Sequence, residues 1–131
     1  MKQQDVIDFC LSLNGAFKRY PFGGYGSKDG PLVMTVLKTK MFCIIYEGTA
    51  PLHILLKCDP LEAEFLRSVY PFVKPGYHCN KKHWNSVYID DAVPDGETRR
   101  MIENSYALVM KKHGREKVRS SVCFSQKDAN C

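Results

Sequence analysis

The sequence has no cysteine pair at C-x-x-C spacing and no apolar run near the roughly 20 residues needed to cross a bilayer. No Gly-Lys-Ser/Thr follows its glycine-rich stretch, and it lacks the EF-hand pattern. These absences remove the zinc ribbon, the membrane span, the P-loop nucleotide site and the calcium loop. Nor does an apolar leader follow Met1-Lys2-Gln3-Gln4-Asp5. The six cysteines (Cys10, Cys43, Cys58, Cys79, Cys123 and Cys131) are irregularly spaced, and two of them sit inside apolar patterns. The expectation is a reducing, cytoplasmic setting with free thiols and no membrane association. No cofactor is implied.

What is present is ordinary globular material. The 131 residues are 44% hydrophobic and 25% charged, enough to bury one core. The net charge of +5 is concentrated late: residues 111–131 hold six basic groups against two acidic ones. We read residues 1–114 as one domain and 115–131 as a basic extension, ordered at most in part. The basic balance favours polyanionic partners.

Apolar spacing predicts a helix over 3–14, stopped by Asn14-Gly15, and short strands over 16–22, 32–37, 41–46 and 53–57. Asp59-Pro60-Leu61-Glu62 is a helix start with a capping pattern, and Leu61, Phe65, Leu66 and Val69 are its expected inward face. A strand through Val87 and Ile89 follows. The last helix is expected over about 95–112, with Gly114 as its stop and an extra strand conceivable over 118–124. Strands cluster between helices instead of alternating with them. The fold class is therefore α+β, an antiparallel sheet with helices packed on one face.

The stretch from Pro75 to Ile89 gathers most of the chemistry. Two histidines, two lysines, a thiol and the only tryptophan lie between a Pro-Gly turn and a strand. His78, Cys79 and His83 lack the second ligand pair a zinc site needs, and His53 and Cys58 stand alone. A Cys79 nucleophile paired with His78 or His83 lacks a defined orienting group. Neither metal binding nor catalysis is assigned, and the carboxylates Asp90, Asp91, Asp95 and Glu97 suit the start of the last helix. Lys81 and Lys82, flanked by Tyr77, His78, Asn80, His83 and Trp84, suit phosphate contact with aromatic stacking. Lys38 and Lys40, near a hairpin turn, are a possible second contact if they share the same face.

Pro75-Gly76-Tyr77-His78-x-Asn80-Lys81-Lys82-His83-Trp84-Asn85-Ser86-Val87, with Val93-Pro94-Asp95 and Ile102-x-x-Ser105-Tyr106-x-Leu108-Val109, resembles the MmcQ/YjbR family. Cys10-Leu11-Ser12-Leu13-Asn14-Gly15-Ala16, Tyr20-Pro21-Phe22-Gly23 and Leu55-x-Lys57-Cys58-Asp59-Pro60 fit the same pattern. Cys79 and Asp91 depart from it, and the glycine-rich insert and the basic tail lie outside it. The resemblance implies a CyaY-like fold and a DNA-binding role through a double-wing surface. Frataxins share that fold and bind iron through an acidic first helix. This first helix has only Asp5 and Asp8, so iron binding is not carried over.

The leading expectation is thus a small, non-enzymatic DNA-binding protein. Lys81 and Lys82 would meet phosphates, with His78, His83, Asn80, Trp84 and Tyr77 beside them, and Lys38 and Lys40 would form a second wing. The alternative is a small-ligand or protein-interaction module whose pocket, under the last helix, is lined by His78, Asn80, His83 and Trp84.

Overall fold

The computed structural model describes residues 1–21, 30–77 and 79–118, with 112–118 as backbone. The elements are α1 (Gln3–Ser12), β1 (Phe17–Arg19), β2 (Leu32–Val36), β3 (Lys40–Tyr46), β4 (Leu52–Lys57), α2 (Pro60–Val69), β5 (Val73–Pro75), β6 (Trp84–Ile89) and α3 (Asp95–Val118). The strands form one sheet in the order β1-β2-β3-β4-β6-β5, every neighbour antiparallel.

All three helices feed one core against one face of this sheet. Val6 and Ile7 of α1, Leu66 of α2, and Ile102 and Val109 of α3 meet Leu32, Ile45, Ile54 and Val87. Burying each such side chain contributes about 1.5–3 kcal/mol. The expected α+β architecture, with helices on one face, is what the chain adopts.

The opposite face has its own small cluster of Val33, Ile44, Leu55 and Trp84, with Met41, Tyr46 and Cys79 packed on it. Strand alternation produces this division: Leu55 and Trp84 point away from the helices, while Ile54, Leu56 and Val87 point toward them. One irregularity serves the helical side. Met34 pairs Cys43 but Thr35 pairs Met41, so Phe42 is an extra residue bulged out of β3. Phe42 packs edge-on against Tyr106 of α3, ring centroids 5.5 Å apart. Its carbonyl accepts a 2.6 Å hydrogen bond from Ser105 Oγ, and Lys57 N–H donates to that same hydroxyl at 2.9 Å. One serine thereby fixes α3 over β3 and β4.

Several expectations are corrected. The edge strand β5 was not expected, because three residues ending in proline make a weak signal; an edge position tolerates it. Helix α2 buries Ala63 and Leu66, leaving Leu61, Phe65 and Val69 at 78%, 58% and 48% exposure. Asp59 precedes α2 without making a side-chain cap. Helix α3 runs through Gly114 to Val118. A single helical glycine costs about 1 kcal/mol, and the strong helix formers Lys111, Lys112, Arg115, Glu116 and Lys117 surround it. The strand suggested over 118–124 begins inside that helix and otherwise lies outside the described residues, as does the glycine-rich stretch over 22–29.

Candidate functional site: a lysine-bearing end of the sheet

The register puts both lysine-bearing turns at the same end of the sheet. Val36 pairs Lys40 at the start of β3, so Lys38 sits at the tip of the β2–β3 turn. Lys57, at the end of β4, pairs Trp84 at the start of β6, so Lys81 and Lys82 enter the sheet beside it. Strands β3 and β6 are two places apart in the sheet, a lateral separation of about 10 Å. Lys38, Lys81 and Lys82 are exposed and Lys40 is half-buried. None of the four takes part in the ion pairs found among the described residues.

The Lys81–Lys82 turn is rigidly built. Asn80 Oδ1 accepts the Lys82 N–H at 2.9 Å, and its carbonyl accepts the N–H groups of His83 and Trp84 at 3.1 and 3.0 Å. This is an Asx turn that fixes the backbone locally. The His83 carbonyl accepts Cys58 N–H at 2.8 Å, extending the β4–β6 pairing by one rung. Arg67 of α2 then spans the turn. Its Nε donates to Asn85 Oδ1 at 2.6 Å, and its Nη2 donates to the carbonyls of Trp84, at 3.1 Å, and Lys81. A planar guanidinium suits three acceptors on one side. Arg67 was not anticipated, because nothing in its own helix distinguishes it from a solvated arginine.

The remaining expected residues separate. Trp84 is 2% exposed and lies in the cluster on the helix-free face, where Leu55 and Ile44 surround it. It cannot stack on a base, and it does not sit under α3. Gly76 closes on it: a Cβ at Gly76 would lie 2.8 Å from Trp84 Cβ and 2.8 Å from Trp84 O. Lys57 Nζ stands 5.8 Å from the indole centroid, a cation–π distance. His83 is half-buried and Asn80 exposed, its amide oxygen committed to the turn. His78 lies outside the described residues.

Tyr77 leaves the lysines altogether. Its N–H donates to Ser86 Oγ at 3.0 Å, and its ring lies 6.2 Å from Tyr46 and 5.9 Å from His53. It joins a cross-strand stack in which His53 lies between Tyr46, at 4.6 Å, and Tyr88, at 4.5 Å, with near-parallel planes. His53 Nε2 pairs with Ser86 Oγ at 2.8 Å. Burial holds the His53 imidazole below its ordinary value of 6.5. The Tyr46 phenol is raised, first by burial and then by Cys79, Tyr77 and Tyr88 nearby. The partners of His53 are thus aromatic rings and a hydroxyl, which its place in the sequence did not indicate. Tyr46, His53 and Tyr88 occupy the positions of their strands that point away from the helices, and only the register makes them neighbours.

Cys10, Cys43, Cys58 and Cys79 form no disulfide among the described residues. Burial, then Glu62 and Asp59, push the Cys58 thiol up to about 11, and burial with Cys10 beside it raises Cys43 well above its ordinary value. Among the described residues no three His, Cys, Asp or Glu side chains group as metal ligands. No described helix is long and apolar enough to cross a membrane.

A cavity of about 400 Å³ does lie under α3, but among the described residues its wall takes from the central stretch only Asn85 and Val87. The expected lining by Asn80, His83 and Trp84 is not found there. Alternation sends Trp84 to the other face, and Asn80 and His83 belong to the turn beyond the strand.

Comparison with known proteins decides the lineage. The YjbR family model matches residues 11–108. The chain belongs to the YjbR family. This YjbR-family chain is 37% identical over 104 residues to the uncharacterized protein YbdF of Escherichia coli O157:H7, covering 79% of the chain and 73% of YbdF. It is 37% identical over 119 residues to the uncharacterized protein YyaQ of Bacillus subtilis strain 168, covering 82% and 98%. Among solved structures, it is similar to Deinococcus radiodurans protein DR2400, which carries the family-model domain DUF419. The TM-score is 0.75 at 35% identity, over 84% of this chain and 79% of DR2400. A Pseudomonas syringae protein matches with a TM-score of 0.69 at 24% identity, over 83% and 99%, a likeness of fold alone.

Proposed function

We propose that the lysine-bearing end of the sheet binds the phosphate backbone of duplex DNA, and that the protein acts by binding and not by catalysis. The observation that carries this reading is the co-location of the Lys38–Lys40 and Lys81–Lys82 turns at one end of the sheet, next to strands β3 and β6 that lie about 10 Å apart, without carboxylate partners among the described residues. That separation falls between the widths of the minor and major grooves, about 6 and 12 Å. Two turns so placed meet phosphates on both sides of a groove without entering it. The Asn80–Arg67 framework supports the reading further, since a turn backbone already fixed lowers the entropy lost when its lysines make contact. Because backbone contacts carry no sequence information, the binding is general for duplexes.

The test is a fluorescence-anisotropy titration of a labelled duplex at several salt concentrations. Four phosphate contacts give a logarithmic salt slope of about −3.6, and Lys81→Ala/Lys82→Ala reduces its magnitude by about 1.8. Lys38→Ala/Lys40→Ala acts in the same direction. Absence of binding at low salt, or an unchanged slope in both double variants, rejects the proposal.

A further inference from the structure

Helix α2 turns an apolar ridge outward. Leu61, Phe65 and Val69 fall four residues apart, and all three are exposed. Residues at that spacing stand one above another on a helix, so they form a ridge about 12 Å long. A single exposed apolar side chain needs no explanation, but a contiguous run of large ones marks a contact surface. The surroundings widen it. Residues three apart are also neighbours on a helix. Phe65 therefore borders Glu62, and Val69 borders Leu66, and Glu62 and Leu66 both line the cavity between α2, α3 and the sheet. Ala107 and Leu108 of α3 continue the apolar surface across that cavity.

Three features select what covers this ridge. It reads the same from both ends, with an aliphatic residue four positions to either side of Phe65. Laid antiparallel on a copy of itself, it sets Leu61 against Val69 of the second copy and the two Phe65 rings against each other. The charges beside it are balanced: Lys57 and Lys111 line the cavity with Asp59 and Glu62. A surface that meets itself needs such a balance, because one sign alone would repel its own copy. Polyanions, by contrast, find no attraction on α2. Its acidic residues are Glu62 and Glu64, and its one basic residue, Arg67, is turned to Asn85 and the lysine turn. Neither an anionic lipid surface nor a nucleic acid is drawn to such a helix. A patch of a few hundred Å² is smaller than the roughly 800 Å² per partner of a standard interface, so association is reversible and depends on concentration.

We propose that α2 is a contact between two copies of this chain, packed antiparallel about a two-fold axis at the Phe65 pair. Each copy keeps Arg67 on its own lysine turn, so the pair carries two lysine-bearing ends. The contact itself rests on no reading of those lysines, and its test contains no DNA.

The experiment is sedimentation equilibrium of the full chain from about 10 μM to about 1 mM, the range of weak association. A phosphine reductant keeps thiols from linking chains. The average mass should rise from that of one chain toward that of two. Phe65→Glu should raise the dissociation constant at least tenfold, because two carboxylates then meet on the axis. Leu61→Lys and Val69→Glu should each weaken the pair as well. Combined in one chain, they set an ammonium of one copy against a carboxylate of the other at both ends of the ridge, and should associate more tightly than either single variant. Within one chain the two positions are about 12 Å apart, too far to pair with each other. All three positions are exposed, so the substitutions leave the fold standing. A mass that stays at one chain throughout overturns the inference and leaves the ridge to a different protein. Association unmoved by Phe65→Glu overturns it by placing the contact on another surface. A double variant no tighter than its parts overturns it by excluding the antiparallel pairing.

Discussion

Arg67 decides more than any lysine. Its guanidinium donates to Asn85 Oδ1 and to the carbonyls of Lys81 and Trp84, linking α2, β6 and the lysine turn. Arg67→Ala leaves these acceptors without their donor, and each buried one costs about 1–3 kcal/mol. We expect a loss of stability in that range or above by chemical denaturation. Amide exchange at residues 82–84 should also rise more than elsewhere in the chain. Arg67→Lys should restore little, because a single ammonium cannot reach acceptors spread over a planar fork. Full recovery by lysine would show that charge alone matters here. The same residue illustrates what a sequence conceals: an arginine on a helix gives no sign of three partners 14 to 18 positions away.

At the scale of elements, the β2–β3 turn carries strain. Leu37 and Lys38 both have positive φ, 51° and 74°, a region that disfavours side chains other than glycine, asparagine and aspartate. Such strain costs of the order of 1 kcal/mol per residue and is tolerated where a side chain is needed for another purpose. Lys38→Gly should therefore raise the midpoint of thermal unfolding while weakening duplex binding, two readouts that move in opposite senses. A fall in both would mean that the lysine stabilises the turn in a way its backbone does not indicate. Element boundaries were largely legible, because apolar alternation and Asn-Gly or Asp-Pro punctuation mark them locally. The inward face of α2 was not. Leu61, Phe65 and Val69 make as good an apolar stripe as Ala63 and Leu66, and only the docking of the helix chose the latter.

For the molecule as a whole, the helix-free face sets a pH dependence. His53 is neutral in the fold, its pKa lowered by burial from 6.5. As pH falls through 6.5 the unfolded chain takes up a proton that the folded one does not, so stability drops over the interval down to the folded value. Thermal unfolding followed from about pH 7.5 to about pH 5.5 should show a falling midpoint. His53→Phe, which keeps a ring between Tyr46 and Tyr88, should flatten that dependence. An equally steep profile in the variant would assign it to other groups. The stack also shows why the candidate site was only half legible. Lys81 and Lys82 announce themselves by adjacency, whereas Tyr46, His53 and Tyr88 come from three strands and are joined by register alone.

The sequence by itself determined the α+β class, the order of nearly all elements and the lineage, since periodicity, capping residues and turn chemistry act over a few neighbours. It also determined that Lys81 and Lys82 are offered together. Only the tertiary structure decided that Lys38 and Lys40 reach the same end of the sheet, that Trp84 is a core residue and not a stacking surface, and that Asn85 belongs to the helix-covered side with Arg67 as its partner. The physical reason is common to all three. Strand alternation and register convert a one-residue difference in sequence into opposite faces of a sheet, and that conversion depends on partners far away in the chain.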